Sequence, residues 1–322
     1  MSETPDIRRL GRSGLAVSTV GLGCNNFGMR LDLDGSRAVV EAALDAGVTL
    51  FDTADSYGGE PGTSETFLGE ILRDRRDDIV LATKFGSHLK GALGPDRGAR
   101  GSRRYIRRAV EASLQRLQTD HIDLYQLHFP DRRTPLEETL AALTELVDEG
   151  KVRYIGSSNF SAWEVADADW TARTAGLQHF ISAQNEYSLL ERGVEAELVP
   201  ACERFGVGLL PYFPLASGLL SGKYRRGEDV PENTRLKAWN MTGVLTDDRF
   251  DVLEKLQAFA EERSVSMLHL AIGGLAAQPA VGSVIAGATS ADQIRANVAA
   301  GTWKPSAEDL AAVDEIVPSS RP

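Results

Sequence analysis

The sequence predicts an α/β protein built as a (β/α)8 TIM barrel, with an N-terminal β-hairpin and a C-terminal helix outside it. Short apolar runs alternate with amphipathic helical patterns along nearly the whole chain, and eight such units follow one another without a break in composition. Strict alternation demands a parallel sheet covered by helices. A doubly wound sheet satisfies the same alternation, but its dinucleotide-binding form carries G-x-G-x-x-G between the first strand and helix. Here Gly21 and Gly23 keep that spacing and Asn26 breaks it. Eight units therefore favour the barrel. The 322 residues read as one domain, 1–322, a length that α/β barrels reach.

The elements follow in order. Residues 7–10 and 15–20 form a hairpin around Gly11 and Gly14, and GLGC at 21–24 ends the first barrel strand. Val40, Ala43 and Leu44 share a helical face that Gly47 stops. TLFDT is the second strand, and Phe67, Leu68, Ile71 and Leu72 mark the next helix. IVLATK is the third strand, followed by helical spacing of Ile106, Ala109, Val110, Leu114 and Leu117. HIDLYQLH is the fourth. Thr134, Pro135, Leu136 and Glu137 spell a capping box with proline at the first helical position. VRYIGSS is the fifth strand, and Ser161 with Glu164 spells a second capping box. FISAQN, VGLLPY and VGSVIAG are the sixth to eighth strands. Helices over 194–205 and 249–263 lie between them, another starts near Ser290, and a last one follows Pro305. Residues 217–244 form the longest stretch without periodicity. Long loops in compact domains are usually functional.

Composition excludes several classes. With 35 Lys and Arg against 46 Asp and Glu, the net charge of −11 argues against a nucleic-acid partner. The basic run at 103–108 reads as a solvated helix face. Cys24 and Cys202 form neither a disulfide framework nor a metal-ligand spacing. The polar start MSETPDIRRL lacks an apolar signal core, and no apolar run approaches the roughly 20 residues that span a bilayer. A cytoplasmic location is expected, with no membrane partner.

Chemistry in such a barrel sits where strands end at the carboxyl face. The polar residues there are Asp52, Asp55 and Tyr57 after the second strand, Lys84 after the third and His128 after the fourth. Ser157, Ser158 and Asn159 end the fifth, Gln184 and Asn185 the sixth, and Tyr212 the seventh; Gly287, Thr289 and Ser290 follow the eighth. This set suits proton transfer. A phenol with a pKa near 10 is a poor acid near neutrality, and a nearby ammonium lowers it. Lys84 supplies such an ammonium, Asp52 holds it charged, and His128 can donate to a carbonyl oxygen. No G-x-S-x-G elbow is present. His121 and His128, seven residues apart on one strand, face opposite ways and do not suit a zinc site.

FDTADSYG, ATKFG, DLYQLH, GKVRYIGSSNF, AQNEYSLL and PYFPLASGLLSGKY, in that order over nearly the whole chain, together resemble the aldo-keto reductase superfamily. The closest look is to bacterial members and to the potassium-channel β-subunit-like branch. The resemblance implies a cytoplasmic NAD(P)H-dependent oxidoreductase that reduces a small-molecule aldehyde or ketone with NADPH. It makes Tyr57 the general acid, Lys84 the group that lowers its pKa, Asp52 the partner of Lys84, and His128 the residue that orients the carbonyl. It places Ser158, Asn159 and Gln184 on the nicotinamide carboxamide, and Tyr212 on the ring. It folds 214–223, including Pro214, Leu215, Gly218 and Lys223, over the pyrophosphate. It sets Gly287, Thr289, Gln293 and Asn297 at the adenosine end, where a helix N-terminus favours an anion. Many relatives carry serine at the position of Phe213, which cannot donate a hydrogen bond. Some NADPH-specific branches are basic where this chain has Gly287 and Gln293. Arg235 matches an arginine that reads the 2′-phosphate in the channel-subunit-like branch, with Lys223 as a second cation.

Two other functions fit the same residues. A binding protein would keep the barrel and cofactor but act by docking, and a lyase or isomerase would use Lys84 as a Schiff base. The intact tetrad favours the reductase. Cys24, after the first strand, and Trp239, in the long loop, are further candidates for substrate contact.

Overall fold

The computed structural model describes residues 5–95, 97–232 and 234–320. A two-stranded antiparallel hairpin, β1 (Ile7–Arg9) and β2 (Ala16–Ser18), precedes the barrel. Its strands are shorter than the sequence suggests, because Val20 leaves the hairpin to begin the first barrel strand. Gly11 turns the hairpin at φ +58°, and a Cβ there would lie 2.4 Å from the Gly206 carbonyl oxygen. Only glycine fits both demands. Leu10, Leu15 and Val17 pack onto Leu50, Ala82, Leu124 and Leu210, so the hairpin plugs the amino-terminal end of the barrel.

The barrel strands are β3 (Val20–Gly23), β4 (Leu50–Asp52), β5 (Val80–Phe85), β6 (Ile122–Leu127), β7 (Val152–Ser158), β8 (Phe180–Glu186), β9 (Gly208–Tyr212) and β10 (Val284–Gly287). They close in the order β10-β3-β4-β5-β6-β7-β8-β9, each pair parallel. Such strands are covered on both faces, which explains their near-continuous apolar runs. Helices α1 (Leu33–Asp45), α2 (Thr63–Leu72), α3 (Arg103–Leu117), α4 (Leu136–Asp148), α5 (Ala162–Ala175) and α6 (Leu198–Phe205) alternate with the strands. After β9 come the short α7 (Arg235–Ala238) and then α8 (Asp247–Glu262). A π-helical stretch (His269–Gly273) runs into α9 (Gly274–Ala276) before β10, and α10 (Ala291–Gly301) and α11 (Ala307–Ile316) follow it. The main core lies between strands and helices. A second cluster joins Leu219, Leu220, Tyr224 and Leu236 of the long loop to Leu253 and Leu256 of α8.

Caps agree with the sequence at α5, where Ser161 and Glu164 form the capping box, and at α10, where Ser290 caps the helix. The capping box expected at Thr134 does not form. The helix begins one residue later, after Pro135, and has no side-chain cap. Asp131 is the reason: its carboxylate accepts from the Gly101 and Arg133 amides and from the Thr134 hydroxyl at 2.7 Å, which leaves that hydroxyl engaged in the loop.

Candidate active site

The register decides which side chains share the barrel interior. Asp52 pairs with Ala82, and Lys84 lies two residues further along the same face. Lys84 pairs with Gln126, Ser158 with Gln184, and Gly287 with Gly23. Period-two alternation therefore carries Asp52, Lys84, Gln126, His128, Ser158, Gln184, Tyr212 and Gly287 to one inward-facing set at the carboxyl end. Thr53, Thr83 and Tyr125 fall on the opposite face, towards the helices.

A cavity of about 580 Å³ opens over this set, in the range of small-ligand sites. At its floor Lys84 Nζ donates to Asp52 Oδ2 at 2.6 Å, to the Thr53 carbonyl at 2.8 Å and to the Tyr57 hydroxyl at 3.4 Å. Gln126 and Gln184 donate to the other Asp52 oxygen at 3.2 and 2.9 Å. Asp52, Tyr57 and His128 line the cavity, whereas Lys84 lies fully buried beneath it. The Tyr57 and His128 rings meet edge to face with centroids 5.9 Å apart. Ser87 Oγ lies 2.9 Å from His128 Nδ1, and Phe129 stacks on the imidazole with an interplanar angle of 6°.

Burial dominates the proton equilibria. It raises the Tyr57 pKa, and Lys84, which pulls the other way, only partly offsets it. Lys84 acts in the expected direction, lowering the phenol's pKa through its charge and its hydrogen bond, but burial outweighs it and the net shift is upward. Burial also works to lower the Lys84 pKa, but Asp52 and then Tyr57 outweigh it, and the ammonium is held charged. Burial and then Lys84 push His128 down to about 3, so the imidazole is neutral near pH 7.

The residues expected at a cofactor fall around the same cavity. Ser158, Asn159, Gln184, Tyr212, Pro214, Leu215, Gly218, Lys223, Arg235, Gly287, Thr289, Gln293 and Asn297 all line it. Their present partners are internal. Tyr212 donates to Asn159 Oδ1 at 2.8 Å, and Asn159 donates to the His128 carbonyl at 2.9 Å. Ser158 donates to the Gln184 carbonyl, and Gln293 accepts from the Thr289 amide. Phe213 takes a left-handed backbone (φ 53°) and puts its ring 5.0 Å from the Arg235 guanidinium, whose other neighbour is Trp239 at 4.9 Å. The residue that departs from the family pattern thus positions an arginine rather than donating a hydrogen bond.

Sequence reasoning missed Asn25, Asn26, Arg30, Phe129 and Ser87. Asn25 and Asn26 follow the end of β3 as Tyr57 follows the end of β4, and that signal finds them. Gln126 sits two residues before His128 on one face and is found by the same alternation. Asp55 and Cys24 are buried and do not line the cavity. Asp55 sits behind the barrel wall near Glu65, whose carboxylate accepts from Thr83 and Arg116 at 2.6 and 2.7 Å. Both Asp55 oxygens lack a hydrogen bond among the described residues. Trp239 is exposed and meets the cavity through its contacts with Arg235 and Phe213. Among the described residues there is no cluster fit to hold a metal ion and no helix long and apolar enough to cross a membrane.

A closed parallel barrel with a buried lysine–aspartate pair, a tyrosine and a histidine at its carboxyl end defines a class of oxidoreductases. The pattern of the aldo/keto reductase family matches residues 19–318, and the chain belongs to that family. It is 39% identical over 303 residues to a probable voltage-gated potassium channel subunit beta of Oryza sativa subsp. japonica, covering 91% of this chain and 90% of that one. It is 36% identical over 315 residues to an uncharacterized oxidoreductase of Bacillus subtilis, covering 96% and 95%. It is 34% identical over 321 residues to the L-glyceraldehyde 3-phosphate reductase of Escherichia coli (strain K12), covering 96% and 91%.

Proposed function

We propose that the protein reduces an aldehyde or ketone to the corresponding alcohol with NADPH, and that Tyr57 is the proton donor. The observation that carries this reading is the Tyr57 hydroxyl at the cavity floor, 3.4 Å from a lysine that Asp52 holds at 2.6 Å. The residues present fit the cofactor. The cavity has room for a dinucleotide, Tyr212 offers a ring face, and Arg30, Lys223 and Arg235 line one end of it. The nicotinamide, when bound, supplies a hydride to the carbonyl carbon.

The protein does the rest. Tyr57, protonated because its pKa is raised, gives its proton to the carbonyl oxygen as charge develops there. The adjacent ammonium stabilises the phenolate left behind, and Asp52 keeps that ammonium in place. Neutral His128 donates from Nε2 to the same oxygen, in the tautomer that leaves Nδ1 to accept from Ser87. Ser158, Asn159 and Gln184 orient the nicotinamide amide, exchanging internal bonds for bonds to it. The buried, charged Lys84 is committed to three oxygens and does not reach the cavity, which disfavours a Schiff base. The likeness to a channel subunit is compatible with a docking role, but Asp52, Tyr57 and His128 at the cavity, with Lys84 beneath it, support reduction.

The test is a panel of aldehydes and ketones with NADPH and with NADH, for wild type and Tyr57→Phe. Reduction should fall about 10²–10⁴-fold in the variant while nucleotide binding persists. A Tyr57→Phe protein with near wild-type kcat sinks the reading.

A further inference from the structure

We infer that Gln126 is a positioning residue for the Asp52–Lys84 pair: its amide holds Asp52 in place when a bound nucleotide draws Gln184 away. This rests on the reading above, in which Gln184 leaves Asp52 for the nicotinamide amide.

The two oxygens of Asp52 are held differently. Oδ2 accepts from Lys84 at 2.6 Å, whereas Oδ1 accepts from two amides, Gln184 at 2.9 Å and Gln126 at 3.2 Å. Gln184 lines the cavity and can turn to a ligand; Gln126 is fully buried and lines none of it. Once Gln184 has turned away, Gln126 is, among the described residues, the one side chain still donating to Oδ1. Oδ2 depends on that bond too, because the two oxygens turn together about one carbon–carbon bond. Lys84 has little slack. Its contact with the Tyr57 hydroxyl, at 3.4 Å, is the longest of its three, and a small further displacement of Nζ would end it.

The barrel wall makes room for this side chain. Gln126 pairs with Lys84 on one side and with Gly156 on the other. A Cβ at Gly156 would lie 3.2 Å from Gln126 Cγ and would collide with Ser182 Oγ. Glycine there leaves the space through which the Gln126 stem runs.

The glutamine carries a cost that an apolar residue would not. Inward positions of such barrels are ordinarily filled by branched apolar side chains. Gln126 Oε1 is buried and has no hydrogen-bond partner among the described residues. The opposite amide orientation would point that oxygen at the Asp52 carboxylate, so the donor faces Asp52 and the acceptor is left over. Leucine or methionine would fill the position without an orphan acceptor. What the glutamine adds is one N–H for Oδ1.

The experiment places Gln126→Met and Gln126→Leu in wild type and in Asp52→Asn, and reads kcat, NADPH affinity by fluorescence titration, and melting temperature. Each substitution removes a bond to a charged group but also the orphan acceptor, effects of similar size, so melting should stay within about 3 °C. On a good aldehyde kcat should fall about 10-fold. NADPH affinity should stay within about twofold, because Gln126 touches no ligand. In the Asp52→Asn background the same substitutions should cost less than about twofold in kcat. Unchanged kcat in both variants overturns the inference. So do variants that fail to fold, that lose NADPH affinity in step with kcat, or whose losses add to that of Asp52→Asn, since Gln126 would then not act through Asp52. Wild-type protein that reduces no carbonyl with NADPH or NADH overturns the reductase reading and this inference with it. An active wild type with indifferent Gln126 variants overturns this inference alone.

Discussion

The Lys84 ammonium lies 2.6 Å from the Asp52 carboxylate, with 1% and 3% of the two side chains exposed. Such a pair is unforgiving when one partner is removed, because the survivor is a buried, uncompensated charge. Lys84→Met should therefore lose most reduction near neutral pH and also destabilise the fold by about 3–5 kcal/mol. Asp52→Asn should act in the same direction on turnover, but more weakly. The double variant should melt higher than Lys84→Met, since no lone charge remains. Thermal melts and kcat for the three proteins check this. Full activity in Lys84→Met would overturn both its proton-transfer role and a Schiff base on it, whereas a borohydride-trapped adduct on Lys84 would return the Schiff-base reading.

His128 makes a prediction about acid. Its folded pKa of about 3 lies below the unfolded value near 6.5. Between these values the unfolded chain holds more protons than the folded one, so stability rises with pH through that window. The contribution is present above about pH 6.5 and is lost as pH falls towards 3. His128→Gln should flatten this part of the melting-temperature profile. Parallel profiles for variant and wild type would contradict the buried, neutral imidazole.

Asp55 makes the opposite prediction. Burial, then Glu65, push its carboxyl well above the ordinary range, and neither oxygen has a hydrogen bond among the described residues. The folded state then binds the extra proton, so its stability is greatest below the unfolded pKa of about 3.9 and falls as pH rises. Asp55→Asn removes that titration at nearly constant volume. It should raise the melting temperature more at pH 8 than at pH 5. A loss of stability at both pH values would mean that the carboxylate is ionised and structurally required.

The Phe213–Arg235–Trp239 stack predicts coupled effects on cofactor choice. Arg235→Ala should weaken NADPH about 10–150-fold, the range for hydrogen bonds to charged groups, and barely alter NADH. Phe213→Ser should weaken NADPH by less, because it frees the guanidinium without deleting it. In the Arg235→Ala background it should add little. Titration with both cofactors checks this; additive losses would mean that Phe213 touches the nucleotide directly.

The strands and the inward set were legible because both depend on short-range pattern. Alternation places Asp52, Lys84, His128 and Gln184 at strand ends before any pairing is known. The segment 266–277 gave no helical signal because Leu270, Ala271, Ile272, Leu275 and Ala276 are all buried, and a helix that is apolar all round has no stripe to detect. The failed cap at Thr134 depends on Asp131 reaching the Gly101 amide, a contact across 30 residues. Arg30 was illegible for a similar reason: its nearness to Lys223 and Arg235 exists only once β10 joins β3 and β9. The pKa of Tyr57 depends on burial as well as on Lys84, and burial cannot be weighed from residue order.

The first barrel strand ends at Gly23, and the neighbour that closes the sheet beside it begins at Val284. On a ribosome adding about 5–20 residues per second, roughly 15–50 s separate the synthesis of these two strands. Through that interval the nascent sheet carries an open edge able to pair with other chains. Gly287 and Thr289, which line the cavity, are made only after it. The cavity lining is therefore incomplete until β10 is made, and the edge of β3 waits for its partner through the same interval.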